Sequence, residues 1–517
     1  MLTHRRTMGR AVEPLGRLAF LSGVAAAAML FAFTSGCLTY QPLNKEVTRA
    51  VGNWHRPAVQ YGMEVSGRHS GAPAAVSPIG AGRREQADSE EHGCASLSQL
   101  ELYIQDALER NPSVLAAVAD TQAKLERVSQ ATSLPDPIFR AAVRPEPIRT
   151  AAGDVHFTLS VAQKIPLLAR LDHAGRAATA EVRMAIERLD ATRLRVIADV
   201  EQAYHRLYLT ERSIELTEAH RRSLEDLGRV LATQYRVGKA EQHDLLRIQT
   251  EIAKLGNDLA RMADRRASAA AALNRLMDYP PARKLSATGP ISVCTLAADV
   301  EELMALAVEH NPELAILVRR ERRDREKIEL AELAYWPDPT IGFEWTAIDP
   351  RDAFTPPNAQ PAAINRMSET GTDSWAVMLQ FSVPIWFERI EAAKREARLM
   401  LRKTQHEKHA TLNTIAFRIF DACERVQTQR CTIDLLESTL IPQARQTYDV
   451  SLTAYQAGKS NFLTVIDNWR RLLDFELMVH RAIAQLETTF SQLQHDVGLE
   501  LIRNETTPKT EQQGEQP

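Results

Sequence analysis

The residue types that bind metals or break bonds are all present in this chain, but their spacing suits neither task well. His406-Glu407-Lys408-His409 sets two imidazoles three residues apart, close enough on one helix face to share a metal ion. His55, His69 and His92 fall in a segment without hydrophobic pattern and offer a looser capture site. With 14 histidines scattered over 517 residues, solvated surface positions account for all of them more plainly. The five cysteines, Cys37, Cys94, Cys294, Cys423 and Cys431, form no CxxC pair and no zinc-like cluster. On one helix, Cys423 and Cys431 would be separated by about 12 Å of rise, beyond the roughly 4.4–6.8 Å that a disulfide allows between Cα atoms. Both read as small core residues. No HExxH, GxSxG, phosphate-binding loop or paired-carboxylate pattern falls in the strand–turn–helix setting its chemistry requires. The sequence predicts no enzyme, no resident metal and no cofactor.

The strongest pattern is instead a duplication. Asn111-Pro112 returns as Asn311-Pro312, and Leu134-Pro135-Asp136-Pro137 as Trp336-Pro337-Asp338-Pro339. Lys164-Ile165-Pro166 is echoed by Ser382-Val383-Pro384, and Tyr235-Arg236-Val237-Gly238-Lys239 by Tyr455-Gln456-Ala457-Gly458-Lys459. The landmarks keep their order at an offset of about 200 to 220 residues. That period is far longer than the roughly 20–50 residues of a solenoid unit, so it predicts two similar half-proteins, residues 97–285 and 286–500. A tail, 501–517, reads as disordered.

The net charge of −3 and the absence of a strongly basic stretch argue against nucleic acid as a partner. The amino terminus reads as an export signal over residues 1–36. Arg5, Arg6, Arg10 and Arg17 precede an apolar run from Leu18 to Phe33, followed by Thr34-Ser35-Gly36-Cys37. The run is about 16 residues, short of the roughly 20 that span a membrane. Ser-Gly-Cys resembles a bacterial lipoprotein processing site with Cys37 as lipid acceptor, although Thr34 stands where that motif usually carries Leu; a plain signal peptide is the other reading. Residues 37–96, rich in Gly, Ala, Pro and Ser, read as a flexible leader.

The body reads mainly as helix. No proline occurs from Leu167 to Tyr279, and Gly238 is the central break, suited to a left-handed turn between two helices. Val196, Val200, Ala203, Leu207, Ile214, Leu224 and Leu231 form one stripe; Leu245, Ile248, Ile252, Leu255, Leu259 and Met262 begin another. Their spacing, alternately four and three, is that of coiled-coil packing. Phe462, Val465, Trp469, Leu472, Val479, Ile483 and Leu486 repeat the pattern around Gly458, broken by Glu476. Pro442 should end or kink its helix near Leu440. A helix from Leu168 to Tyr235 would reach roughly 100 Å, the dimension of a rod or duct.

Between the helices lie segments of period two. Trp375, Val377, Leu379, Phe381 and Val383 alternate with more polar residues, as do Ile341, Phe343, Trp345 and Ala347. Phe157, Leu159, Val161 and Ile165, and Phe139 to Val143, do so more weakly. Two strand pairs follow, one per copy, with an exposed loop from Asp349 to Asp373. Strands of about 10 residues with one apolar face match a membrane β-barrel, while a sandwich edge would also alternate. Four strands cannot close a barrel, since about eight are needed, so any barrel would need several chains.

This order of helix, hairpin, long helices and Tyr-x-x-Gly turn, given twice, resembles the TolC-type outer-membrane efflux proteins over about residues 97–500. Ile441-Pro442-Gln443-Ala444-Arg445 and the terminal Val497-Gly498 add to the resemblance, and Cys37 with Tyr40 and Pro42 points to its lipid-anchored branch. The resemblance implies a homotrimer with a twelve-stranded barrel in the outer membrane, continued by an α-helical barrel through the periplasm. It implies a passive exit duct for small molecules, metal ions or secreted polypeptides, served by a periplasmic adaptor and an inner-membrane pump. A lipid-anchored periplasmic coiled-coil scaffold without a pore is the alternative. Gly238 and Gly458 would mark the periplasmic tips. The positions six and nine residues after Gly458, aspartates in the family's prototype, are Thr464 and Asp467 here, and Asp244 is the first-copy counterpart of Thr464. A ring of Asp467 would favour cations in a narrow duct; an ordinary exposed helix charge is the other reading. Tyr235 and Tyr455 are expected to pack the hairpins. Arg236, Lys239 and Lys459 would contact the adaptor or simply be solvated.

Overall fold

The computed structural model describes residues 41–52, 98–150, 152–238, 240–287, 294–295, 299–350, 371–501 and 504–505. The signal segment, Cys37, Cys94, His55, His69, His92, Lys239, most of the 349–373 loop and residues 506–517 lie outside them. In chain order the elements are α1 (Gln41–Gly52), α2 (Gln99–Arg110), α3 (Pro112–Thr132), β1 (Ile138–Thr150), β2 (Gly153–Lys164), α4 (Leu168–Arg236) and α5 (Gln242–Leu276). There follow β3 (Cys294–Thr295), α6 (Val300–His310), α7 (Pro312–Glu332), β4 (Pro339–Asp349), β5 (Ser374–Phe381) and α8 (Phe387–Leu435). A π-helical turn, Leu436–Leu440, then leads into α9 (Ile441–Gln456), α10 (Phe462–Val497) and β6 (Asn504–Glu505). The chain is mainly helical with a small antiparallel sheet. Among the described residues no helix is long and apolar enough to cross a membrane.

Two compact units form. The first takes the described residues within Met1–Trp54, Val118–Arg188 and Glu313–Ala410. Its sheet runs β1-β2-β4-β5, antiparallel throughout, so the two expected strand pairs join edge to edge through β2 and β4. The register collects most of the large apolar residues on one face. Phe139, Val161, Phe343 and Val377 share one cross-strand row, and Ala141, Leu159, Trp345 and Trp375 the next. The opposite face carries the rows Arg140, Ser160, Glu344, Ala376 and Ala142, Thr158, Thr346, Ser374. Arg144 donates to Thr158 Oγ1 at 2.9 Å on that polar face. Such alternation follows from the strand period of two. β1 holds Pro145 and Pro147, and its pairing with β2 shifts register between Val143 and Ile148, because proline has no N–H for the ladder. β5 stops at Phe381, short of the expected Val383, where Pro384 cannot extend the pairing. Asp338, 6% exposed, accepts from Arg170 at 2.6 Å and Lys164 at 3.0 Å, tying the entry of β4 to α4 and β2.

The supposedly flexible leader contains a correction. Within it α1 is helical, and Leu43 and Val47, one turn apart, are buried against Leu125, Val128 and Val182. Glu46 adds a pair with Arg183 at 3.3 Å. Twelve residues hold too few apolar positions for periodicity to stand out.

The second unit takes the described residues within His55–Ala117, Leu189–Pro312 and Thr411–Pro517. The two Asn-Pro motifs work alike here. Asn111 ends α2, and its Nδ2 donates to the carbonyl of Leu276 at 2.8 Å; Asn311 ends α6 and donates to that of Asp496 at 2.7 Å. Each buried amide thus satisfies a carbonyl at or just before a long helix's end, while the following proline opens the next helix at no cost in donors. Gly498 ends α10 at φ +86°, where a Cβ would lie 2.5 Å from the His310 carbonyl oxygen. The stripes pack as expected. Leu224 and Leu231 of α4, Ile248 and Leu255 of α5, and Phe462, Val465, Ile466, Trp469, Leu473 and Leu477 of α10 form one core. Val426, Ile433 and Leu436 pack with Val479, Ala482, Ile483 and Leu486 in another. Pro442 interrupts its helix as a π turn: the Ile441 N–H reaches back to the Leu436 carbonyl, and the widened turn accommodates the proline ring.

Candidate functional site

The inter-hairpin turns gather most of the candidate residues. Gly238 (φ +71°) and Gly458 (φ +70°) both take the left-handed conformation, with their N–H groups on the carbonyls of Tyr235 and Tyr455 at 3.0 and 2.9 Å. After Gly458 the side chain of Asn461 caps α10, accepting from the Thr464 N–H at 3.0 Å and the Thr464 hydroxyl at 2.8 Å. Thr464 is therefore an exposed first-turn residue held by the Asn461 cap, while the N-cap position of α5, Glu241, makes no side-chain cap.

The twin tyrosines diverge. Tyr455 packs on Phe462, ring centroids 5.4 Å apart, and its hydroxyl donates to Asp244 Oδ2 at 3.2 Å. Burial and the negative charge of Asp244 push the phenol up to about 12, so it remains a donor throughout the physiological range. Tyr235, expected to pack in the same way, is 42% exposed, because no counterpart of Phe462 follows Gly238. Asp244 is only 6% exposed and also meets His243 Nε2 at 3.1 Å. It belongs to a tie between the two helical hairpins.

Asp467 is half-exposed, its side chain 46% accessible, and pairs with Arg470 at 3.2 Å. Arg470 also reaches across to Glu251 of α5, whose side chain is 8% exposed. That hydrogen bond, reinforced by the nearby carboxylates, raises the guanidinium above its ordinary value despite burial. Arg236 and Lys459 are exposed. Sequence reasoning missed Arg470, Glu251 and the partners of Glu476. Arg470 at three residues from Asp467 was a local signal; Arg445 lies 31 residues from Glu476 on another helix, and the pairs His220–Glu476 and Glu251–Arg470 span more than 200 residues, so these left none. Of the motif on α8, Glu407 pairs with Arg320 at 2.8 Å and Lys408 with Glu321 at 2.9 Å, while His406 and His409 are exposed.

A family model for the outer membrane efflux protein matches residues 103–278. The chain carries an outer-membrane efflux protein domain. The TolC-type resemblance of its motifs is thereby borne out. Solved structures similar to this chain include the outer membrane protein VceC from Vibrio cholerae, at 20% identity and TM-score 0.63, covering 77% of this chain and 96% of that one. The open state of the Neisseria gonorrhoeae MtrE outer membrane channel aligns at 18% identity and TM-score 0.62, over 78% of this chain and 89% of that one. The Campylobacter jejuni CmeC outer membrane channel aligns at 14% identity and TM-score 0.61, over 77% and 85%. These likenesses show a shared fold that reaches well beyond the matched segment. A search of curated proteins finds no match.

Proposed function

We propose that the chain is one third of an outer-membrane exit duct for an efflux or export system. The observation that carries this reading is the sheet: four strands with a mostly apolar face and two unpaired edges, β1 and β5. Unpaired edges cannot face lipid, and about eight strands are the least that close, so the reading requires further copies to supply the rest. Three chains give twelve strands. The apolar face then meets lipid and the face with Arg140 and Glu344 meets the lumen. A poreless scaffold would have no use for such a face.

In this reading residues 97–285 and 286–500 are two structural copies, and Gly238 and Gly458 cap the periplasmic end of a helical duct. The tie from Tyr455 to Asp244 holds the hairpins together there, and Asp467, restrained by Arg470, lends negative charge to the constriction beside Thr464. Arg236, Lys239 and Lys459 offer positive charge to a periplasmic adaptor, through which an inner-membrane pump hands over its cargo. Residues 1–36 direct export, and acylation of Cys37 anchors the chain, with α1 securing the segment that follows. The duct itself hydrolyses nothing. In detergent the purified protein should run as a heat-labile trimer; a monodisperse monomer with intact β signal would overturn the barrel.

A further inference from the structure

Within the second unit, α5 and α10 enclose a cavity of about 270 Å³, with Thr217 of α4 also in its wall. Leu255, Trp469, Leu473 and Leu477, each at most 8% exposed, form its apolar part and belong to the main core. The rest of the wall is charged. The lining runs from Glu251 to Arg265 on α5 and from Trp469 to Arg481 on α10, and Glu251 pairs with Arg470 at one end. The two helices therefore advance together from their turns. Equal steps along each, from 251 to 262 and from 470 to 481, bring Arg481 level with Met262, between Arg261 and Arg265.

The charges divide between the two ends. At the Glu251 end, Glu251 and Asp474 balance Arg470 and Lys254. At the other end three guanidiniums, Arg261, Arg265 and Arg481, meet one carboxylate, Asp258, which Arg261 already engages at 2.6 Å. Among the described residues neither Arg265 nor Arg481 has an ion-pair partner. Two further donors of the wall residues, the Trp469 Nε1–H and the Arg470 Nε–H, are buried and find no acceptor among the described residues. The wall is thus short of acceptors and of negative charge, a shortage that packing against apolar surface makes more costly.

We propose that this cavity binds a small amphiphilic carboxylate, with its charge between Arg265 and Arg481 and its apolar body along Leu477 and Leu473 toward Trp469. Leu477 stands one turn before Arg481 on the same helix, so one face of α10 serves both the apolar body and the charge. Guanidinium groups suit a planar carboxylate, which accepts two parallel N–H bonds. The volume lies just below the roughly 300–1,000 Å³ of pockets for drug-sized ligands, so the occupant is compact, of the size of a medium-chain fatty acid. An inorganic anion would leave the apolar wall uncovered, and a neutral apolar molecule would leave the guanidiniums unpaired. The site lies inside one unit and does not depend on the chain acting as a duct.

The test titrates octanoate into the purified full-length protein in non-ionic detergent, followed by calorimetry and by tryptophan fluorescence. Saturable binding at one site per chain is expected, with octan-1-ol and sulfate each at least about tenfold weaker. Arg265 and Arg481 are exposed, so the double variant Arg265→Gln with Arg481→Gln should fold; it should bind octanoate at least about tenfold more weakly and octan-1-ol as wild type does. Trp469→Phe should keep the heat of binding and lose the fluorescence change. Octan-1-ol matching octanoate would mean partition onto apolar surface, and sulfate matching it an adventitious ion only. Undiminished binding in the double variant, or a fluorescence change that survives Trp469→Phe, would place the ligand elsewhere. Any of these, or the absence of saturable binding, would overturn the proposal.

Discussion

Replacing Tyr455 by Phe isolates the tie at the tip. The ring stays on Phe462 and only the hydroxyl bond to Asp244 is lost. A hydrogen bond to a charged acceptor contributes roughly 1.5–3 kcal/mol, but at 3.2 Å this one is long, and Asp244 keeps its contact with His243 at 3.1 Å. A loss of about 1–1.5 kcal/mol is therefore expected, which favours the parted tip by about five- to twelvefold. Amide hydrogen exchange across 455–465 should accelerate by that factor, while exchange in the β1-β2-β4-β5 sheet stays as in wild type. Asp244→Asn, which removes the charge and weakens both contacts, should have a larger effect. If Tyr455→Phe leaves tip exchange unchanged, the hydroxyl bond does not hold the hairpins and the tie as described is wrong.

Gly498→Ala should cost at least about 1–3 kcal/mol, since the left-handed backbone is strained for alanine and the new Cβ would press on the His310 carbonyl; thermal melting should show a drop of several degrees. Asn311→Ala leaves the Asp496 carbonyl without its buried donor and should lower stability by about 1–3 kcal/mol in denaturant titration. Asp467→Asn, removing about three charges from a trimeric constriction, should reduce cation selectivity and weaken block by multivalent cations; an unchanged reversal potential would remove Asp467 from the constriction. Cys37→Ser should abolish acylation without preventing barrel insertion, and mass spectrometry showing a cleaved but unmodified wild-type amino terminus would defeat the lipid anchor.

Much of the fold was legible because it rests on local periods. The alternation of four and three around Leu224, Ile248 and Val465 is core packing, and the alternation through Phe343 and Trp375 is one face of a sheet. Gly238 and Gly458 were readable because a left-handed turn selects glycine. Most of the departures come from partners on other elements. Glu476 read as a flaw in a stripe because His220 and Arg445 come from other helices. Tyr235 and Tyr455 share a motif, yet only the second meets Phe462 and Asp244. Arg470 spans Asp467 and Glu251, a link that only the packing of α5 on α10 creates. In α1, Leu43 and Val47 gain their meaning from a surface supplied by α3 and α4.

Single-channel recording of the purified full-length protein in planar bilayers tests the central claim most directly. A sheet with two open edges and one apolar face, completed by two further copies, predicts discrete, uniform conductance steps that vanish when the oligomer is dissociated by heat. Folded protein that keeps its β signal and associates with the bilayer without conducting would contradict the duct.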